Sequence, residues 1–304
     1  MPGRLTSLGA VVLSPQSPAA IALNCVLMLF TPTEFTSLQK PRDDPDPRTY
    51  IFCGDALLVR DADLALPSAA VGRALLPAGR ALLPVGMLAG HYCQTTWVDR
   101  ETPPPAGFSF LTLRRMFGAM DDGLLSIAGR AFQIAEWART HQFCGVCATP
   151  MTPLAGERCF RCPACGHAAY PRISPAMMVL VQRGDEILLA RHSRLPTSRF
   201  TALAGFLEAG ETIEEAIHRE VFEEVGLRVK DLKYFGSQSW PFPHSLMIAF
   251  TAQYAGGEIV IDGDEISAAR WFGTSDVVPE FPTKISIAGE LITAHLPGRR
   301  KQAE

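Results

Sequence analysis

The chain lacks an excess of either charge. Its 28 Lys plus Arg stand against 31 Asp plus Glu, a formal charge of -3, so the overall field calls for no polyanionic partner such as bulk nucleic acid. It also lacks the ~20 uninterrupted apolar residues that a bilayer span needs. The nearest run, Ile21 to Phe30, is broken by Asn24, and no membrane partner is expected. Arg4 followed by Leu8 to Leu13 has the flavour of a secretion signal, but Pro15 and Pro18 cut the apolar stretch short. The segment reads instead as the start of a strand-rich N-terminal domain. No internal repeat and no low-complexity tract is visible. With 47% hydrophobic and 19% charged residues over 304 positions, the chain is a folded protein of about two domains.

The cysteines do not form a disulfide framework. Cys25, Cys53 and Cys93 are scattered singly, whereas the other five of the eight fall between Cys144 and Cys165. Cys144-Gly-Val-Cys147 and Cys162-Pro-Ala-Cys165 are two knuckles fourteen residues apart, and each points two thiolates at one ion. Four sulfurs close a structural Zn²⁺ site, which staples a segment too short to own a core. Cys159 could pair with Cys162 as an alternative knuckle, but Cys165 would then be left over, so Cys159 reads as a free thiol beside the site. Thiols kept for metal point to a reducing, cytoplasmic setting.

Residues 1–137 carry no catalytic motif. Short apolar runs at Val26 to Leu29, Tyr50 to Cys53 and Ala56 to Val59 predict strands, and the spacing of Leu125, Ala128, Phe132, Ala135 and Trp137 predicts a helix over 124–141. Residues 140–170 form the zinc-ribbon module. Residues 171–300 alternate strands and helices, opening with a hairpin of Met177–Gln182 and Glu186–Ala190 around Gly184 and Asp185, and ending in a helix over Ile285–His295.

The chemistry concentrates between Gly205 and Leu227. Thr212 with Glu215 makes a capping box, and Gly226 is placed to end the helix in the left-handed conformation, which predicts a helix over Ile213–Val225. At about 100° per residue, Glu220 and Glu224 lie about 40° apart, in the arc of Ile213, Ala216 and Ile217. Carboxylates turned toward the protein repel one another and lose hydration, and that is tolerable where cations neutralise them. Glu223 adds a third. Oxygen ligands of this kind suit Mg²⁺ or Mn²⁺, which keep open positions for phosphate oxygens. Arg219 is placed to hold the glutamates by bidentate pairing. A merely solvated acidic face describes Glu214 and Glu215, but not the inward pair.

The spaced set Gly205, Glu211, Arg219, Glu220, Val221, Glu223, Glu224, Gly226, Leu227 resembles the signature of the Nudix hydrolases at every fixed position. Downstream, Ser237-Gln238-Ser239-Trp240-Pro241-Phe242-Pro243-His244-Ser245 resembles an element of the NADH pyrophosphatase group of that family, with Ser239 in place of a proline. Trp240 and Phe242 offer flat faces to an aromatic base, and Gln238 and Ser245 offer polar contacts. The resemblance covers about Leu113 to the C-terminal helix. It implies an α+β chain: an α/β/α Nudix sandwich with a mixed sheet, preceded by a four-cysteine zinc ribbon and the strand-rich N-terminal domain.

It implies further that Glu220, Glu223, Glu224, Glu265 and the Ala204 carbonyl hold the catalytic Mg²⁺ or Mn²⁺. Glu223 or Glu224 would take the proton. Arg115, Glu157, Tyr170, Phe206, Ala288 and the whole Gln238–Ser245 string, with Ser239, Pro241, Pro243 and His244, would contact substrate. The implied reaction is cleavage of the pyrophosphate of NADH or NAD⁺ to nicotinamide mononucleotide and AMP, extending to NAD at the 5′ end of RNA, by a homodimer whose C-terminal helix reaches the neighbour's pocket. The rival readings are an ADP-ribose or other dinucleotide pyrophosphatase, and a non-catalytic nucleotide-sensing or RNA-binding protein.

Overall fold

The computed structural model describes residues 30–193, 198–261 and 263–298. The strand expected at Val26 to Leu29, together with Cys25 and Asp262, lies outside them. In the N-terminal part the strands are β1 (Phe35–Ser37), β2 (Arg48–Cys53), β3 (Ala56–Arg60), β4 (Leu83–Leu88), β5 (His91–Val98) and β6 (Phe108–Thr112), with the short helix α1 (Ala69–Leu75) before β4 and the long helix α2 (Asp122–Thr140) after β6. The ribbon contributes β7 (Thr152–Pro153), β8 (Phe160–Arg161) and β9 (Ala168–Ala169). The C-terminal part holds β10 (Ser174–Arg183), β11 (Glu186–His192), β12 (Leu203–Phe206), α3 (Ile213–Val225), β13 (Arg228–Trp240), β14 (Ser245–Gly256), β15 (Ile266–Phe272) and α4 (Ile287–Ala294). No helix among the described residues is long and apolar enough to cross a membrane.

The C-terminal sheet runs β13-β14-β10-β11-β15, with β12 added against β10. Its central pair, β10 with β14, is parallel, and the neighbouring pairs are antiparallel. Both faces are covered. Along β10 the period of two sends Met177, Val179 and Val181 into the core under α3, and Met178 and Leu180 into the core under α4. That two-sided burial explains why β10 reads as a continuous apolar run rather than an alternation.

The N-terminal sheet carries β4-β5-β2-β3-β6 in that order, with β1 on its outer edge. Here too the central pair, β2 with β5, is parallel, β2 and β3 form a hairpin, and β6 closes antiparallel on β3. Position for position this repeats the C-terminal sheet. The expectation of no internal repeat is therefore corrected. The repetition lies in strand order, and α1 (Ala-Ala-Val-Gly-Arg-Ala-Leu), which stands where α3 stands in the other half, carries no acidic residue.

Helix α2 joins the two halves. Its apolar residues Leu125, Ala128, Phe132 and Ala135 pack on the N-terminal sheet, with Phe132 tilted against Phe52 at 5.2 Å. Its other side is also covered. Gly129 faces Pro241, where a Cβ would come within 3.0 Å of the proline ring, and Trp137 stacks on Phe160 of the ribbon at 4.5 Å. Arg158 ties the ribbon to the N-terminal sheet by donating to the carbonyls of Leu38 (2.7 Å) and Pro84 (3.0 Å).

Candidate active site

Helix α3 is set by local signals at both ends. The Thr212 hydroxyl accepts from the Glu215 amide, the Glu215 carboxylate accepts from the Thr212 amide, and Gly226 stops the helix at φ 71°. Ala216, Ile217, Val221 and Val225 are buried against the sheet, and full burial of an aliphatic side chain contributes about 1.5–3 kcal/mol. Those contacts fix the rotation of the helix and so carry Glu220 and Glu224 inward. Glu224 is 3% exposed and the Glu220 side chain 12%. The Glu223 side chain is 58% exposed, on the rim.

Opposite α3, β12 supplies Ala204 and Gly205. A methyl group at Gly205 would collide with the Glu220 carboxylate, so the glycine admits that carboxylate to the strand backbone. Arg219 organises the rest. Its Nε and one terminal nitrogen donate to the two oxygens of Glu211 at 2.7 and 2.9 Å, and the other terminal nitrogen lies 3.0 Å from both Glu220 Oε1 and Glu223 Oε2. The expected bidentate pairing is present, and its object is Glu211. Arg219 also donates to the Phe206 carbonyl at 3.2 Å, which pins the end of β12.

The electrostatics follow from this packing. Arg219 holds the Glu211 carboxyl down at about 2. Burial pushes Glu220 above the ordinary carboxylate value against the pull of Arg219, and the charges of Glu223 and Glu265 add to the rise. A desolvated carboxylate pressed by two others is the donor chemistry that a hard divalent cation stabilises. The residues present fit Mg²⁺ or Mn²⁺, with Glu220, Glu223, Glu224, Glu265 and the Ala204 carbonyl as the available oxygens.

The ribbon fits zinc on distance. Cys144 Sγ lies 3.6 Å from Cys165 Sγ, and Cys147 Sγ lies 3.5 and 3.6 Å from those of Cys162 and Cys165. Four sulfurs at ~2.3 Å from a tetrahedral ion stand roughly 3.8 Å apart. This quartet is the group of His, Cys, Asp or Glu ligand atoms, among the described residues, that converges within 4.8 Å. The glutamates are spread wider, with Arg219 between two of them. Cys159 is a buried free thiol outside the quartet.

Next to β12 opens a cavity of about 520 Å³, lined among others by Ala204, Gln238, Trp240, His192, Arg199 and Ala288. It brings together Ala204, Gln238, Trp240 and Ala288, all named by the resemblance. The Gln238–Ser245 string also makes contacts within the fold. Gln238 is 5% exposed; its amide donates to the Ile285 carbonyl at 2.9 Å and its oxygen accepts from the Ile287 amide at 2.8 Å, so it clips the start of α4 to β13. Ser239 donates to Gln133 on α2 at 3.2 Å. His244 Nδ1 lies 3.1 Å from Ser174 Oγ, and Ser245 is buried in register with Ser174. Pro241 packs on α2, and Phe242 precedes a cis bond to Pro243 in the turn between β13 and β14.

Other implied contacts fall elsewhere. Arg115 lines neither the cavity nor the aromatic wall. Its neighbour Arg114 does, with its guanidinium 3.8 Å from the Phe242 ring centre and 5.2 Å from that of Trp240. The two arginines share a single 3-10 turn (Leu113–Met116), so one step along the chain swings the side chain to a different side. Glu157 and Tyr170 bond one another at 3.1 Å on the ribbon, away from the cavity. Phe206 is 58% exposed beside the carboxylate helix. Sequence reasoning left Glu211 without a role, although the signature spacing contains it. It also passed over Arg114, His192 and Arg199, for which no local pattern gives a sign.

A carboxylate helix on an α/β/α sandwich, facing a glycine-cleared strand, defines a Nudix hydrolase. The matching family models are a NUDIX domain over residues 172–293, an NADH pyrophosphatase zinc ribbon domain over 139–170, and an NADH pyrophosphatase-like rudimentary NUDIX domain over 47–137. The last accounts for the duplicated sheet. A protein of Chromobacterium violaceum named NAD-capped RNA hydrolase NudC is 44% identical over 255 residues, covering 84% of this chain and 93% of that one. A protein of the same name from Deinococcus radiodurans is 50% identical over 192 residues, covering 62% of this chain and 68% of that one. The chain belongs to the NADH pyrophosphatase (NudC) group of the Nudix family.

Proposed function

We propose that the protein hydrolyses the pyrophosphate bond of NADH or NAD⁺, giving nicotinamide mononucleotide and AMP, and removes NAD from the 5′ ends of RNA. The carrying observation is that one cavity is lined by Trp240, by the start of α4 and by Ala204, whose neighbour Gly205 admits the Glu220 carboxylate. Its volume and mixed lining suit a dinucleotide. The relatives named NAD-capped RNA hydrolase support the same substrate class.

Glu220, Glu223, Glu224, Glu265 and the Ala204 carbonyl would hold Mg²⁺ or Mn²⁺, which when bound lowers the pKa of water and offsets the charge of the phosphates. Glu224, buried beside Glu220, takes the proton of the attacking water, while Glu223 on the rim is held by Arg219. Arg219 and Glu211 keep the helix and the end of β12 in register. Trp240 orients the base. Glu224→Gln is expected to lower turnover of NADH by about 10²- to 10⁴-fold with an unchanged melting temperature. Chromatography of AMP and nicotinamide mononucleotide measures it, and near wild-type rates would overturn the assignment.

The protein acts as a cytoplasmic homodimer. Glu157 and Tyr170, which sit away from their own cavity, then serve the neighbour's. Phe143, Val146, Tyr170, Ile173 and Phe206 are large apolar side chains more than half exposed along the ribbon and the site entrance, the kind of patch that association covers. Sedimentation analysis of the purified protein tests this, and a monomer at micromolar concentration would refute it.

A further inference from the structure

The aromatic wall of the catalytic cavity has a second side. Trp240, Phe117 and Gln238 line both that cavity and another of about 370 Å³, enclosed between α2 and the β13–β14 turn. Pro241 and Phe242 line this second space, and Arg130, Gln133 and Thr31 give it a polar edge. Ala204, next to the glycine that admits Glu220, lines the first cavity and not this one.

Arg130 is the residue that asks for a ligand. Its side chain is half-buried, and burial holds its pKa below the usual arginine value. It donates to the Thr31 hydroxyl at 3.1 Å and lies 5.0 Å over the Phe35 ring, but no carboxylate of the described residues pairs with it. A second half-buried arginine, Arg158, adds like charge nearby. A partly desolvated cation without a counter-charge costs free energy that an incoming anion recovers. The adjoining Trp240 and Phe242 rings are tilted 66° to each other, so a nucleobase stacked on the Trp240 face meets Phe242 at an angle. Because the chain as a whole is slightly acidic, any RNA contact has to be local of this kind.

We propose that the second cavity binds the first nucleotide joined beyond the dinucleotide of an NAD-capped RNA, with its phosphodiester on Arg130 and its base against Trp240 and Phe242. This rests on the reading of the catalytic cavity as an NAD site. It makes Arg130 a specificity residue for capped RNA over free NAD.

The test compares NAD⁺ with NAD extended at the adenosine 3′ position by one nucleotide, through either a normal phosphodiester or an uncharged methylphosphonate. In the wild-type enzyme kcat/KM for the charged link should exceed that for the neutral link by about tenfold, the worth of one charge-assisted contact. Arg130→Ala should erase that difference and leave NAD⁺ turnover within about twofold, which also reports that the variant folds. Arg130→Lys should keep part of it. Equal rates on the two links in the wild type overturn the proposal without any variant, as does a loss in Arg130→Ala that falls equally on NAD⁺ and the extended substrate. If the wild type cleaves no NAD⁺ at all, the failure lies in the NAD reading beneath it.

Discussion

At position 205 the need is for space rather than for an unusual backbone angle. The Glu220 carboxylate occupies the volume a side chain would take. Gly205→Ala should therefore displace Glu220, because overpacking a filled site costs about 1–3 kcal/mol and a small misplacement of a catalytic group costs about 10²-fold in rate. Turnover should fall steeply in steady-state kinetics while the melting temperature drops little. Activity close to wild type would show that Glu220 is not needed where it lies. The inward placement of Glu220 and Glu224 was readable from the sequence, since helical periodicity fixes it once Ile217 and Val221 are recognised as core. Gln238 was not readable in the same way. An amide two residues before Trp240 suggests a ligand contact, but its partners, Ile285 and Ile287, are brought to it by the fold.

Helix α3 and the loop before it act as one element through the Arg219–Glu211 pair. The folded value of Glu211, about 2, lies below its ordinary 4.5, so the pair stabilises the fold above pH 4.5 and loses that contribution as pH falls toward 2. Glu211→Gln should melt at a lower temperature than wild type at neutral pH, with the gap closing through this acid window. A gap independent of pH would mean that the loss is one of packing. The limits of α3 were legible to the residue, because a capping box and a left-handed glycine are local signals. The β13–β14 turn was legible in composition but not in shape: its prolines fall in the bend, while Trp240 closes the strand. The side of the short 3-10 turn that faces the wall, and hence Arg114 rather than Arg115, depended on tertiary docking.

Across the whole molecule the ribbon, α2 and the N-terminal sheet form one brace, which meets the C-terminal half at the β13–β14 turn. Chelating zinc should free Phe160 from Trp137 and shift tryptophan emission, since a ribbon of this size has no core to hold it. KM for NADH should rise more than kcat falls, because Pro241 leans on α2 whereas the carboxylate helix rests on its own sheet. Unchanged emission after metal removal would mean that Arg158 and the aromatic stack suffice. The four-cysteine spacing and the signature gave these units away in the sequence. The duplicated sheet stayed hidden from motif reading, because α1 carries none of the acidic residues that mark α3.

The docking of Pro241 onto Gly129 has a consequence for both halves. The half without an acidic helix still shapes the other, because its surface is the mould in which the β13–β14 turn is cast. Substitutions at Gly129 or Gln133 would then appear as altered substrate choice in a domain they do not belong to.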